Sequence, residues 1–106
     1  MAVVYIAGKM NGLPDKGRAK FAEAAEKLRG LGFVVLNPAE LPEGLAPDKY
    51  MPICLAMIDA ADAVCKLDNW HDSPGANIEV RYAQYQGKSF LSATEKERPP
   101  TGRLSP

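Results

Sequence analysis

The stretch Asp68-Asn69-Trp70-His71-Asp72-Ser73-Pro74-Gly75-Ala76-Asn77-Ile78-Glu79 joins an apolar run ending at Leu67 to an amphipathic helical pattern. Small, polar and turn-forming residues crowd the joint between an expected strand and an expected helix, where open α/β folds hold their ligands. A helix start leaves its first N–H groups without partners and carries partial positive charge, so the loop before it can hold an anion. Ser73 is suited to cap that helix, Pro74 to its first turn, and Gly75 lets a ligand approach the backbone. Glu79 falls about one turn into the helix, within reach of the mouth. A carboxylate there is either a catalytic group or a first-turn acid that favours the helix dipole.

Working outward, residues 63–67 read as a strand with Asp62 at its beginning. Beyond the joint, a helix over 75–86 carries Ile78, Tyr82 and Tyr85 on one apolar face and closes at Gly87, before a short strand over 88–91. At the start of the chain, Ala2-Val3-Val4-Tyr5-Ile6 is β-branched and apolar and ends at Ala7-Gly8, the pattern of a buried parallel strand feeding a ligand loop. The loop over 8–15 has two glycines but neither GxGxxG nor a GK[ST] ending, which excludes dinucleotide and P-loop motifs. Asp15 is suited to cap a helix over 16–29 with Phe21, Ala25 and Leu28 on its buried face and Gly30 as its left-handed terminator. Residues 33–36 form the next strand, stopped by Asn37-Pro38. Pro42, Gly44 and Pro47 make 39–47 a loop over the ligand edge of the sheet, and a helix with an irregular start at Pro52 follows over 48–60.

Strands alternating with helices predict a parallel sheet covered on both faces. The expected architecture is α/β, a flavodoxin-like or Rossmann-like three-layer sandwich of four to five strands in the order 2-1-3-4(-5). Its switch point lies between the first and third strands, so two distant loops face each other across one crevice. Ala7, Gly8, Lys9 and Met10 form one wall, and Trp70, Asp72, Ser73, Gly75 and Asn77 the other. Trp70 either stacks on a ligand base or covers the sheet edge, and Asn77 either binds a ligand or caps the turn.

The 106 residues make one domain over 1–91, followed over 92–106 by a segment with three prolines and alternating charges that reads as a mobile tail. A domain this small gains from self-pairing, so a homodimer or higher homo-oligomer is expected. Thirteen basic and thirteen acidic side chains leave no net charge, which argues against polymeric nucleic acid as a partner. Cys54 and Cys65 lie among apolar residues without CxxC or Cys/His spacing, so they read as buried thiols with no metal, in a reducing compartment. No apolar run reaches the roughly 18 residues of a membrane span, and the first residues read as a strand rather than a signal peptide. The expected location is cytoplasmic, with no membrane partner and no cofactor.

Tyr5-Ile6-Ala7-Gly8-Lys9-Met10, Asn37-Pro38-Ala39-Glu40, Ala61-Asp62-Ala63-Val64, and Trp70 with Ser73, Gly75-Ala76 and Glu79 follow one another in an order and spacing that resemble the nucleoside 2-deoxyribosyltransferase-like superfamily. The resemblance spans residues 3–91 and is strongest to a small branch common in phage genomes, which implies the host cytoplasm if the chain is phage-encoded. It implies cleavage or transfer at the N-glycosidic bond of a deoxynucleoside or its monophosphate. Glu79 would attack the anomeric carbon, Tyr5 would position it, and Asp62 would match an aspartate that begins the third strand. A carboxylate suits this chemistry because breaking the bond builds an oxocarbenium-like sugar that it can stabilise or trap. The chain also departs from the pattern. Asp72 or Ser73 stands where the transferases carry an aspartate before a glycine, and Cys54 stands where the small branch carries an aspartate early in its second helix. The competing expectation is a non-catalytic module that holds a nucleotide or a nucleotide-derived signal.

Overall fold

β1 (Val3–Ala7) is the hub of the fold, because its side chains feed both faces of the sheet in alternation. The computed structural model describes residues 2–92. After β1 come α1 (Arg18–Gly30), β2 (Val34–Leu36), α2 (Pro47–Ala60), β3 (Ala63–Lys66), α3 (Pro74–Tyr85) and β4 (Ser89–Ser92), with single 3-10 turns at Pro38–Glu40 and Trp70–Asp72. The four strands are parallel and ordered β2-β1-β3-β4, as the alternating pattern predicts. Val4 and Ile6 pack with Phe21 and Leu28 under α1, whereas Tyr5 and Ala7 pack with Cys54, Ile58 and Val80 under α2 and α3. The buried cysteines fall on opposite sides of the sheet, Cys65 toward α1 and Cys54 toward α3, and both are free thiols.

Local chemistry moves several boundaries from where the sequence pattern puts them. α1 starts at Arg18, not at residue 16, because Lys16 and Gly17 both adopt left-handed backbone, with φ of 59° and 77°. The Asp15 carboxylate still supports this start, accepting from the N–H groups of Gly17 at 2.9 Å and Ala19 at 3.0 Å. Those backbone donors hold its carboxyl below the usual carboxylate range. At the other end, Gly30 is the last helical residue rather than the terminator, and Gly32 takes the left-handed position at φ 95°. Phe33 N–H then reaches the Leu28 carbonyl at 3.1 Å and Gly32 N–H the Arg29 carbonyl at 3.0 Å, which satisfies the last carbonyls two residues later than expected. α2 runs regularly from Pro47 through Pro52, which lies in its second turn and forgoes the N–H that would have bonded to the Asp48 carbonyl.

The expected buried face of α3 is overturned. Ile78 is 52% and Tyr85 87% exposed, while Ala76, Glu79, Val80 and Ala83 are buried. Both stripes have helical spacing, and the helix buries the smaller residues, which allow close approach to the sheet. Tyr82 sits at the seam with α2, its hydroxyl donating to Asp59 at 2.6 Å. No helix among the described residues is long and apolar enough to cross a membrane. Of the expected tail only Ser92 is described, as the end of β4; the rest lies outside the described residues.

Two glycine substitutions check these ends with opposite signs. A Cβ at Gly17 would lie 2.7 Å from the Lys9 carbonyl oxygen at positive φ. Gly17→Ala should therefore lower stability to chemical denaturation by at least about 1–2 kcal/mol. A Cβ at Gly30 meets nothing within 4 Å. Gly30→Ala should stabilise by about 0.5–1 kcal/mol, whereas a left-handed Gly30 would make the same change destabilising.

Candidate active site

The C-terminal ends of β1 and β3 open into two loops that are tied together across the switch point. Leu67 N–H donates to the Ala7 carbonyl at 2.9 Å, and Lys9 N–H donates to Asn69 Oδ1 at 3.0 Å. A Cβ at Gly8 would come within 2.6–2.9 Å of the Leu67 side chain, so only glycine lets the first loop pass so close to the second. At the start of α3, Ser73 Oγ accepts from Ala76 N–H at 3.1 Å with Pro74 beside it, the arrangement its sequence predicts. Asn77 Nδ2 donates to the carbonyls of Ser73 at 2.8 Å, His71 at 3.2 Å and Trp70 at 3.4 Å, clamping the loop from inside.

These constraints fix the direction of Glu79. It lies on the inner face of α3, 9% exposed, and its Oε1 accepts a hydrogen bond from the Tyr5 hydroxyl at 3.1 Å. Tyr5 is fully buried in the middle of β1, so the carboxylate is anchored to the central strand of the sheet. The Cys54 thiol of α2 interacts with both groups. Burial pushes the Glu79 carboxyl up to about 7, against the pull of the Tyr5 hydroxyl and the nearby Cys54 thiol. Burial, then the neighbouring Glu79 charge, drives the Tyr5 phenol far above its ordinary range, and burial pushes the Cys54 thiol up to about 11. Near neutral pH the phenol and thiol keep their protons while the carboxylate exchanges its own.

Glu79 borders a cavity of about 360 Å³. Gly8 and Met10 line it from the first loop, Ser73, Gly75 and Ala76 from the start of α3, and Tyr50, Met51 and Cys54 from α2. The segment from Pro38 to Pro47 covers one side, as its breaker-rich sequence predicts, with the Tyr50 hydroxyl holding the Pro42 carbonyl at 2.8 Å. Lys16, Arg18 and Glu43 stand at the cavity, where Arg18 and Glu43 form an ion pair. A half-ionised carboxylate beside a ligand-sized cavity is equipped to act as a nucleophile or base near neutral pH. Among the described residues, no three His, Cys, Asp or Glu side chains converge as metal ligands would.

The structure brings Glu79, Met10, Gly8, Ser73 and Gly75 together at the cavity, with Tyr5 and Ala7 buried behind it. It places Asp62 at the opposite edge of the sheet, where Oδ2 accepts from Val3 N–H at 2.8 Å and Asp62 N–H returns a bond to the Val3 carbonyl at 2.7 Å. Asp62 therefore extends the β1–β3 ladder and does not face the cavity. Trp70 packs half-buried against the cluster that contains Tyr5 and Val80 and is not among the residues lining the cavity, its ring 4.0 Å from the His71 ring and the Lys66 ammonium 5.3 Å over it. Asp72 is an exposed turn residue, the Lys9 backbone is held by Asn69, and Asn77 clamps the carbonyls of its own loop. Met51, Tyr50, Leu41, Leu45 and the Arg18–Glu43 pair are site features the sequence reading did not assign. The apolar residues inside an otherwise breaker-rich loop were the available signal for Leu41 and Leu45. Nothing local marks a pair of charges 25 positions apart.

Residues 2–92 match the family described as Domain of unknown function (DUF4406). No curated protein matches the chain significantly. Among solved structures, the 2-desoxiribosyltransferase from Leishmania mexicana is similar, with 26% identity, a TM-score of 0.69, and coverage of 93% of this chain and 68% of that one. The CMP N-glycosidase BcmB of Clostridium botulinum shares the fold at 21% identity and a TM-score of 0.62, over 85% of this chain and 69% of that one. The nucleoside 2-deoxyribosyltransferase-like resemblance read from the sequence is thus shown by the tertiary structure as well.

The burial of Glu79 has a pH signature. Its carboxyl is raised from 4.5 to about 7 on folding, so the native state binds the proton more tightly than the unfolded chain. Stability contributed at this site is therefore present below about pH 4.5 and is lost as pH rises through about 7. The full loss is about 3 kcal/mol. Glu79→Gln should gain stability over the natural chain at pH 8 by up to that amount and lose the advantage near pH 4.5, as read from urea unfolding at the two pH values.

Proposed function

We propose that this chain, which belongs to the DUF4406 family, breaks the N-glycosidic bond of a deoxynucleoside or its monophosphate by attack of the Glu79 carboxylate on the anomeric carbon. The observation that carries the reading is the buried Glu79–Tyr5 hydrogen bond of 3.1 Å at the wall of a ligand-sized cavity. Small-molecule pockets span roughly 300–1,000 Å³, and this cavity falls in that range. The likeness to a 2-desoxiribosyltransferase and to a CMP N-glycosidase supports glycosidic chemistry as the class.

In the proposed reaction, one Glu79 oxygen forms a bond to the sugar C1′ as the C1′–N bond breaks, and the electron pair leaves with the base, which takes up a proton. Water or an acceptor base then attacks C1′ and gives up a proton to solvent, making good the one taken up by the departing base, while the ester bond to Glu79 breaks and the carboxylate is regenerated. Tyr5 lies behind Glu79 and does not border the cavity, so its role is positioning: it occupies Oε1 and turns the other oxygen toward the ligand. The capped start of α3, with Ser73 and Gly75 at the cavity, suits an anionic group of the ligand. One observation favours the non-catalytic alternative, a module that holds a nucleotide or nucleotide-derived signal. The second carboxylate at the cavity, Glu43, is engaged by Arg18 instead of standing free to serve the leaving base.

Incubation with a panel of deoxynucleosides and their monophosphates, with and without an acceptor base, tests the reading by chromatographic detection of free or exchanged base. Base release should occur, disappear in Glu79→Gln, and fall about 10–100-fold in Tyr5→Phe, the effect of losing one hydrogen bond to a charged group. The rate should rise with pH through about 7, because the attacking form is the ionised carboxylate. Nucleotides that raise the melting temperature without base release would instead establish the binding module. Neither response across the panel would overturn both readings.

A further inference from the structure

We propose that Cys54 is a second positioning residue for Glu79, its thiol donating from α2 to the carboxylate that Tyr5 holds from β1. Three observations carry this. Cys54 and Glu79 border the same cavity. The thiol is buried in the cluster that contains Tyr5, not turned to solvent. It also lies near enough to both Glu79 and Tyr5 to act on their ionisation, so side chains from three elements gather at one place.

A carboxylate offers about four lone-pair sites, and one donor fixes its position without fixing its rotation. A second donor from a different direction does both. A buried thiol is ordinarily inert filler, and it remains protonated across the neutral range, so the S–H needed for donation is present. Cys65 provides the internal contrast. It too is buried, on the opposite face of the sheet in the cluster of Val4, Ile6 and Phe21, and burial alone acts on its thiol. The titratable groups that act on Glu79 are Tyr5 from β1 and Cys54 from α2.

The consequence for rate rests on the reading of Glu79 as the attacking group, but the contact itself can be tested without turnover. The full chain labelled with carboxyl-13C glutamate is titrated by NMR, the Glu79 resonance being assigned by its loss in Glu79→Gln. Cys54→Ala and the volume-keeping Cys54→Val should each raise the Glu79 midpoint by about half to one pH unit, because a donor to the charged form is gone. Cys54→Ser should return it to or below the natural value, and Cys65→Ala should leave it unchanged however much stability it loses. A midpoint identical in all Cys54 variants, or Ser shifting together with Ala and Val, would overturn the proposal. If bases are released, the acid limb of the rate profile should move with the NMR midpoint. If none is released the glycosidic reading fails, and the titration still decides the role of Cys54.

Discussion

The structure turns on one buried carboxylate. Glu79 points inward from α3 at the level of Tyr5, and every buried polar side-chain atom among the described residues, including these, has a partner. An isolated carboxylate in such a place would be expelled or protonated. Here the central strand supplies a phenol and α2 supplies a thiol, so the charge is tolerated while the proton becomes labile near neutral pH. An inward carboxylate also sets which face of α3 meets the sheet. With Glu79, Val80, Ala76 and Ala83 turned in, Ile78 and Tyr85 must turn out, although they are the larger apolar groups. The helix accepts a poorer burial of hydrophobic surface in exchange for the position of one oxygen.

The second constraint is the close approach of two loops at the switch point. Glycine at position 8 and the backbone clamps from Asn69 and Asn77 bring the loop after β1 against the loop after β3 with little freedom in either. This stiffness lets the start of α3, and hence Glu79, be placed relative to β1 by hydrogen bonds instead of by a long loop. The opposite side of the cavity is built differently. The segment from Pro38 to Pro47 is mostly exposed and is held by the Tyr50 hydroxyl and the Arg18–Glu43 ion pair, both surface contacts of modest strength. One wall is therefore rigid and one lightly fastened.

Different parts of this arrangement were legible to different degrees. The strand at Val3–Ala7, the capped start of α3 at Ser73 and the breaker-rich loop over the site could be read locally, since each rests on a short-range rule of propensity, capping or turn chemistry. The end of α1 was misplaced because two glycines lie near it and only the carbonyls they satisfy distinguish Gly32 from Gly30. Asp62 and Trp70 illustrate another limit. An aspartate before a strand and a tryptophan in a polar loop are compatible with a ligand site, and what the fold gives them as partners is the Val3 backbone in one case and the apolar cluster around Tyr5 and Val80 in the other.

By itself the sequence determined the alternation of strands and helices, the parallel sheet that alternation requires, and the presence of a polar joint leading to Glu79. These follow from interactions between residues close along the chain. Only the tertiary structure decided that Tyr5 and Cys54 meet Glu79, that Arg18 meets Glu43, and that α3 buries its smaller stripe. Such contacts join residues 25 to 74 positions apart, and their energies depend on burial and direction, which no local pattern encodes.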